Sequence, residues 1–170
     1  GCVGVRPMIA RFGADLPKPR LVIVGEPTGM QVIDGHKCID VFNTTVTGKE
    51  AHSSLPALGV NAISAAAKLI GEIDRMAAEA AACENDPHFE PPYSTLGAAM
   101  IAGGTAPNIV PNSCDILWQM RGLPNTKMKD APARLAAFAE ETLLPEMRKV
   151  APHANVETET KTSVPAFSAT

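Results

Sequence analysis

From residue 37 onward the apolar residues switch between two spacings, and the order of the switches restricts the chain to very few folds. Residues 37–47 read as a strand. Residues 60–81 read as a helix, because Ile63, Ala66, Ala67, Ile70, Ile73 and Ala77 recur at three- and four-residue steps and form one apolar stripe. Residues 95–102 and Ser113–Arg121 return to strand. In the latter, Ile116, Trp118 and Met120 share one face and Leu117, Gln119 and Arg121 the other. A second helix covers residues 127–149, capped by Asn125 or Thr126, with Leu135, Phe138 and Thr142 on one side. Pro145 bends or shortens it. Asn155–Val164 alternates charge and threonine, as a half-exposed or edge strand does.

The resulting order, β-α-β-β-α-β, predicts an α+β, ferredoxin-like unit: a four-stranded antiparallel sheet with two helices on one face. Burying the three isoleucines of the first stripe contributes about 1.5–3 kcal/mol each. The fold is common and carries no function by itself. Upstream, "LVIVG" (residues 21–25) is an unbroken apolar run, the mark of a strand buried on both faces in an α/β core larger than this chain supplies. "MQVID" (residues 30–34) reads as a short strand, and Asp34-Gly35 as a tight turn. Residues 1–12 read as the end of a helix, or a turn leading into one, with Pro7 in a first turn.

With 45% hydrophobic residues the 170-residue chain supports a packed core. A net charge of -3 gives no electrostatic case for nucleic acid or an anionic membrane, and no apolar run approaches the roughly 20 residues of a spanning helix. Cys2, Cys38, Cys83 and Cys114 are scattered without a CxxC pair, so reduced thiols in a cytoplasmic setting are the better reading than disulfides or structural zinc. "GCVGVRPMI" at the start reads as the middle of an element, which marks the chain as a piece of a longer protein.

Four residues invite a chemical reading. His52 lies in "TGKEAHSSLP", outside regular structure; it is either a solvated turn residue, an oxyanion donor or a metal ligand. Glu26 ends the apolar run in "VGEPT", where α/β sheets hold ligands; it is either a surface carboxylate or a ligand or proton acceptor, and a lone glutamate makes no metal site. Arg121 ends a strand just before "GLP", suited to gripping a carboxylate or to snorkelling at the edge. Asn108, in "GGTAPNIVP", is explained equally by turn chemistry or by a side chain aimed at a substrate. There is no phosphate-binding loop, no dinucleotide fingerprint and no G-x-S-x-G elbow.

Taken together, "VGEPT", "VTGKEAHSSLPALGVNAI", "GGTAPNIVP" and "MRGLP" resemble the M20 family of metal-dependent amidohydrolases and peptidases, from Cys2 to about Phe167. The resemblance implies a cytoplasmic two-domain enzyme: an α/β catalytic domain with two zinc ions (cobalt being an alternative) and an inserted lid through which it forms a homodimer. Residues 1–35 would be a remnant of the catalytic domain, 36–163 the lid, and 164–170 the return segment. Glu26 corresponds to a metal ligand, and His52 to the lid histidine that stabilises the oxyanion in the partner's site. Asn108 and Arg121 correspond to substrate-binding residues, Arg121 for the carboxylate. The substrate would be a small N-acyl amino acid, with no nucleic acid or membrane partner.

The wording around "GEPTGMQVIDGHKCIDVF" best fits members that deacetylate N-acetylornithine in arginine biosynthesis. Other members, which remove succinyl or other acyl groups or cleave dipeptides, are the nearest alternatives; a non-catalytic oligomerisation module is the other. The remaining metal ligands and the family's Glu-Glu pair are absent from the sequence, so the resemblance implies that this chain alone binds no zinc tightly and hydrolyses nothing.

Overall fold

The computed structural model describes residues 3–168, so the readings that fall on Gly1 and Cys2 lie outside the described residues. The chain divides into two compact units, Gly1–Ile33 and Asp34–Thr170.

In the first unit a 3-10 turn, Val3–Val5, leads into the short helix α1, Arg6–Ile9, with Pro7 in its first turn where a missing N–H does no harm. The strand expected over residues 21–25 does not form: these residues pair with no strand, and Leu21 and Ile23 are 76% and 85% exposed. An apolar run becomes a doubly buried strand only where neighbouring strands take its N–H and C=O groups and helices cover its faces. Met30–Asp34 is likewise unpaired, and Met30 has a positive φ of 64°. Asp34-Gly35 is not a tight turn either, because Gly35 enters a strand.

The second unit opens with that two-residue strand, β1 (Gly35–His36), then β2 (Ile39–Thr47), helix α2 (Ala62–Cys83), β3 (Thr95–Gly103) and β4 (Ser113–Arg121). Helix α3 (Ala131–Phe138), a π-helical turn (Ala139–Leu143), α4 (Leu144–Arg148), β5 (Asn155–Val164) and β6 (Phe167–Ser168) complete it. The main sheet is antiparallel throughout, in the order β3-β4-β2-β5, as the expected fold class requires. β1 and β6 pair separately, antiparallel, Gly35 opposite Ser168.

One face of the sheet carries Phe42, Thr44 and Val46 opposite Trp118, Ile116 and Cys114, all buried in a single core with both helical segments. The Phe42 and Trp118 rings lie 4.3 Å apart. Trp118 Nε1–H donates to Thr44 Oγ1 at 2.9 Å, and Thr44 Oγ1 bonds Thr158 Oγ1 on β5 at 2.9 Å. This chain of donors satisfies every polar atom buried by the aromatic contact.

Two helix details depart from expectation. The buried face of α2 runs through Ala62, Ala65, Leu69, Ile73, Met76 and Ala80, whereas Ile63 is 37% exposed and Ala67 lies on the surface. The helix is rotated toward Leu69 and Met76, two large side chains the expected stripe omitted. The second helix starts at Ala131, after Asp130, and neither Asn125 nor Thr126 is its N-cap. Pro145 cannot donate to residue 141, and the backbone widens into the π turn immediately before it. That extra residue per turn leaves Thr142 exposed and brings Leu143, Leu144 and Met147 inward.

Candidate functional site

The loop between β2 and α2 is pinned by glycine and by a second loop. A Cβ on Gly48 would run into the carbonyl oxygen of Val60, so only glycine allows the loop's two ends to meet. There Lys49 and Val60 exchange backbone hydrogen bonds of 3.0 and 2.8 Å. The β3–β4 loop, turned by Gly104 at φ +81°, lies alongside. Val110 N–H donates to Ala51 O at 2.8 Å and Ser53 N–H to Asn108 O at 2.9 Å, giving a one-pair antiparallel bridge between His52 and Ile109. Hence two of the sequence-selected residues, His52 and Asn108, are brought together, both exposed, at the end of the sheet where β2 finishes and β4 begins.

The His52 ring is held by its own loop. Ser54 N–H donates to His52 Nδ1 at 3.2 Å, and Ser54 Oγ lies 2.7 Å from the same nitrogen. Among the described residues Nε2 has no hydrogen-bond partner. A cavity of about 530 Å³ opens beside the two loops, lined by Ser53, Pro56, Ile63, Gly104 and Pro107 among others, but by neither His52 nor Asn108.

Arg121 is elsewhere. It ends β4, half-buried, and opens on a groove of about 300 Å³ lined also by His36, Lys37, Ile39, Glu90, Pro91 and Thr95. Its guanidinium makes one long hydrogen bond among the described residues, Nη2 to Gln119 Oε1 at 3.3 Å, which leaves its other donors uncommitted. Lys37 Nζ donates to Pro91 O and Tyr93 O, each at 2.6 Å, and ties the loop carrying Glu90 to the groove. Burial lowers the Lys37 pKa, partly opposed by Glu90 and Glu84. β4 has nine residues, so its ends lie about 26 Å apart at ~3.3 Å per residue. Arg121 and the His52–Asn108 pair therefore occupy opposite ends of one sheet.

Glu26 lies in the first unit, exposed, with Thr28 N–H bonded to its carbonyl at 2.8 Å. Among the described residues no three His, Cys, Asp or Glu side chains converge as a metal site would require. The residues present do not by themselves fit a zinc centre.

Sequence reasoning missed a buried carboxylate network. Glu84, just past α2, accepts from Ser94 N at 2.8 Å, Thr126 Oγ1 at 2.9 Å and Lys127 N at 2.6 Å. Burial would push its carboxyl up, but the hydrogen bonds from Ser94, Lys127 and Thr126 outweigh it and hold the pKa below the ordinary value. Thr126 thus serves this network, and no periodicity could have announced it. Cys38, Cys83 and Cys114 are free. Burial and Asp40 push the Cys38 thiol up to about 11, so it is inert at neutral pH.

Residues 34–147 match the peptidase dimerisation domain of the M20 family, and the chain belongs to that family. Its members are generally metal-dependent hydrolases. The chain is 29% identical over 140 residues to acetylornithine deacetylase of Myxococcus xanthus, covering 82% of this chain and 35% of that protein. It is 36% identical over 111 residues to acetylornithine deacetylase of Vibrio cholerae, covering 65% and 29%. Among solved structures it is similar to aminopeptidase PepT from Bacillus cereus, with a TM-score of 0.57, 28% identity, and coverage of 81% of this chain and 32% of that one. A tripeptidase from Staphylococcus aureus, 22% identical with a TM-score of 0.59 over the same shares, is alike in fold. The chain spans about a third of the length of the curated relatives it matches. Among the described residues no helix is long and apolar enough to cross a membrane.

Proposed function

We propose that the chain supplies the lid and dimer interface of a cytoplasmic, dinuclear-zinc amidohydrolase that removes the acetyl group from N-acetylornithine. Residues 36–163 are the lid, 1–35 belong to the catalytic domain, and 164–170 return to it. Support for an inserted lid comes from β1 and β6, which bring the entering and leaving segments side by side. Glu26 contributes one carboxylate to the metal centre, whose other ligands are not among these residues.

The observation that carries the reading is the separation of His52 and Asn108 from Arg121 along β4. A small N-acyl amino acid cannot bridge about 26 Å, so these residues serve one substrate only if they come from two protomers. Arg121 grips the α-carboxylate with its free donors. The partner's lid presents its Nε2–H at the acyl carbonyl oxygen as negative charge develops there, with Asn108 facing the substrate beside it. One water adds to the acyl carbon, the C–N bond breaks with the proton going to the amine, and acetate and ornithine leave.

The test is complementation in the full-length enzyme. His52→Ala and Arg121→Ala homodimers are each impaired, the first at least about a hundredfold in turnover. Mixed dimers pair one intact arginine with one intact histidine in a single site. Scrambled equal mixtures should recover roughly a quarter of wild-type activity. No recovery overturns the two-protomer site. Parallel assays on N-succinyl amino acids and on dipeptides decide between N-acetylornithine and the substrates of the family's other hydrolases.

A further inference from the structure

We infer that Ser54 is a positioning residue that fixes the tautomer and orientation of His52, an inference that rests on the proposed oxyanion role for its consequence but not for its geometry. The argument begins with the backbone. Ser54 N–H can only donate, and it points at His52 Nδ1 at 3.2 Å. A nitrogen accepting a hydrogen bond cannot carry a proton, so Nδ1 is the bare nitrogen of the neutral ring and the hydrogen sits on Nε2. With Nδ1 bare, the Ser54 hydroxyl 2.7 Å away must also donate to it. Two donors from one residue therefore converge on one ring nitrogen.

The loop keeps that residue in place. Ser53 N–H is bonded to Asn108 O, and Leu55 N–H to His52 O at 2.8 Å, so the backbone on both sides of Ser54 is fixed. The ring is exposed, and its hydrogen bonds among the described residues are the two from Ser54 to Nδ1. What reaches out of the loop is an N–H, which is the form an oxyanion donor needs. The opposite tautomer would present a lone pair, and two negative poles would face each other.

Ring-nitrogen NMR of the 15N-labelled 170-residue chain tests the geometry without any metal or substrate. At neutral pH the wild-type His52 ring should show Nδ1 unprotonated and Nε2 protonated. Ser54→Ala should shift the Nδ1 resonance and broaden the pair toward tautomer exchange, and Ser54→Thr should restore the wild-type pattern. A protonated Nδ1 in the wild type, or an Ser54→Ala spectrum identical to it, overturns the inference. In the full-length enzyme Ser54→Ala should lower kcat about tenfold with KM unchanged, and Ser54→Thr should recover it. If His52→Ala leaves turnover intact, the oxyanion reading fails while the tautomer result stands. If His52→Ala is crippling and Ser54→Ala is silent in both spectrum and rate, it is the role of Ser54 that fails.

Discussion

The two edges of the main sheet are built on opposite principles. β3 carries no charged residue over Thr95–Gly103, and Met100 and Ile101 are 67% and 52% exposed. β5 carries Glu157, Glu159 and Lys161 among threonines. Each edge has a bulge, at Ala98/Met100 on β3 and opposite Val41/Phe42 on β5, so irregularity does not distinguish them. Charge does. An edge strand left apolar and unpaired invites a second strand, whereas a charged edge repels one. For the proposed homodimer the contrast favours β3 of one protomer against its twin, with the exposed Ile63 at the start of α2 extending the patch.

The edges are also tied down differently. β3 is held at its start by a buried carboxylate, through Ser94 N–H on Glu84. β5 is held by hydroxyls, through Thr158 on Thr44 and Thr44 on Trp118. Four substitutions would break or sharpen the comparison. Met100→Lys has the largest effect: in sedimentation equilibrium the proposed dimer should weaken at least about a hundredfold, since a charge would enter an apolar edge on each protomer. An unchanged dimer would move the interface away from β3.

Glu84→Gln should come next, lowering stability by about 2–3 kcal/mol in urea unfolding at neutral pH, because its amide turns a donor toward donors. The pH sign follows from the lowered folded pKa. Glu84's contribution is present above the ordinary value of 4.5 and is lost as pH falls through the folded value. The variant's stability should accordingly fall less than wild type as pH drops below the ordinary carboxyl value of 4.5 and through the folded one. Thr158→Val should cost about 1–2 kcal/mol by leaving the Thr44 hydroxyl short of a partner. Lys161→Ala should be smallest, within about 0.5 kcal/mol in stability and with no change in sedimentation. A large shift in association from Lys161→Ala would mean that β5, not β3, is the joining edge.

Much of this was legible in the chain itself. Ser113–Arg121 and Asn155–Val164 begin and end where alternation says they should, because a strand's period is set residue by residue against a single buried face. The loop bearing His52 was legible too, since Gly48 and "HSSLP" separate the strand before it from the long helix after it. Ser54 was not: its contact with the ring depends on loop curvature that no spacing encodes.

The sequence by itself determined the order of elements, the inward face of β4 and the charge on one edge but not the other, all properties of local pattern. Only the tertiary structure decided that α2 turns toward Leu69 and Met76, that Glu84 becomes an anchor, that residues 21–25 stay unpaired, and that Arg121 and His52 stand at opposite ends of the sheet. Those outcomes depend on which distant residues arrive beside each other, and packing and hydrogen-bond partners supplied by remote segments override what a short window of sequence prefers.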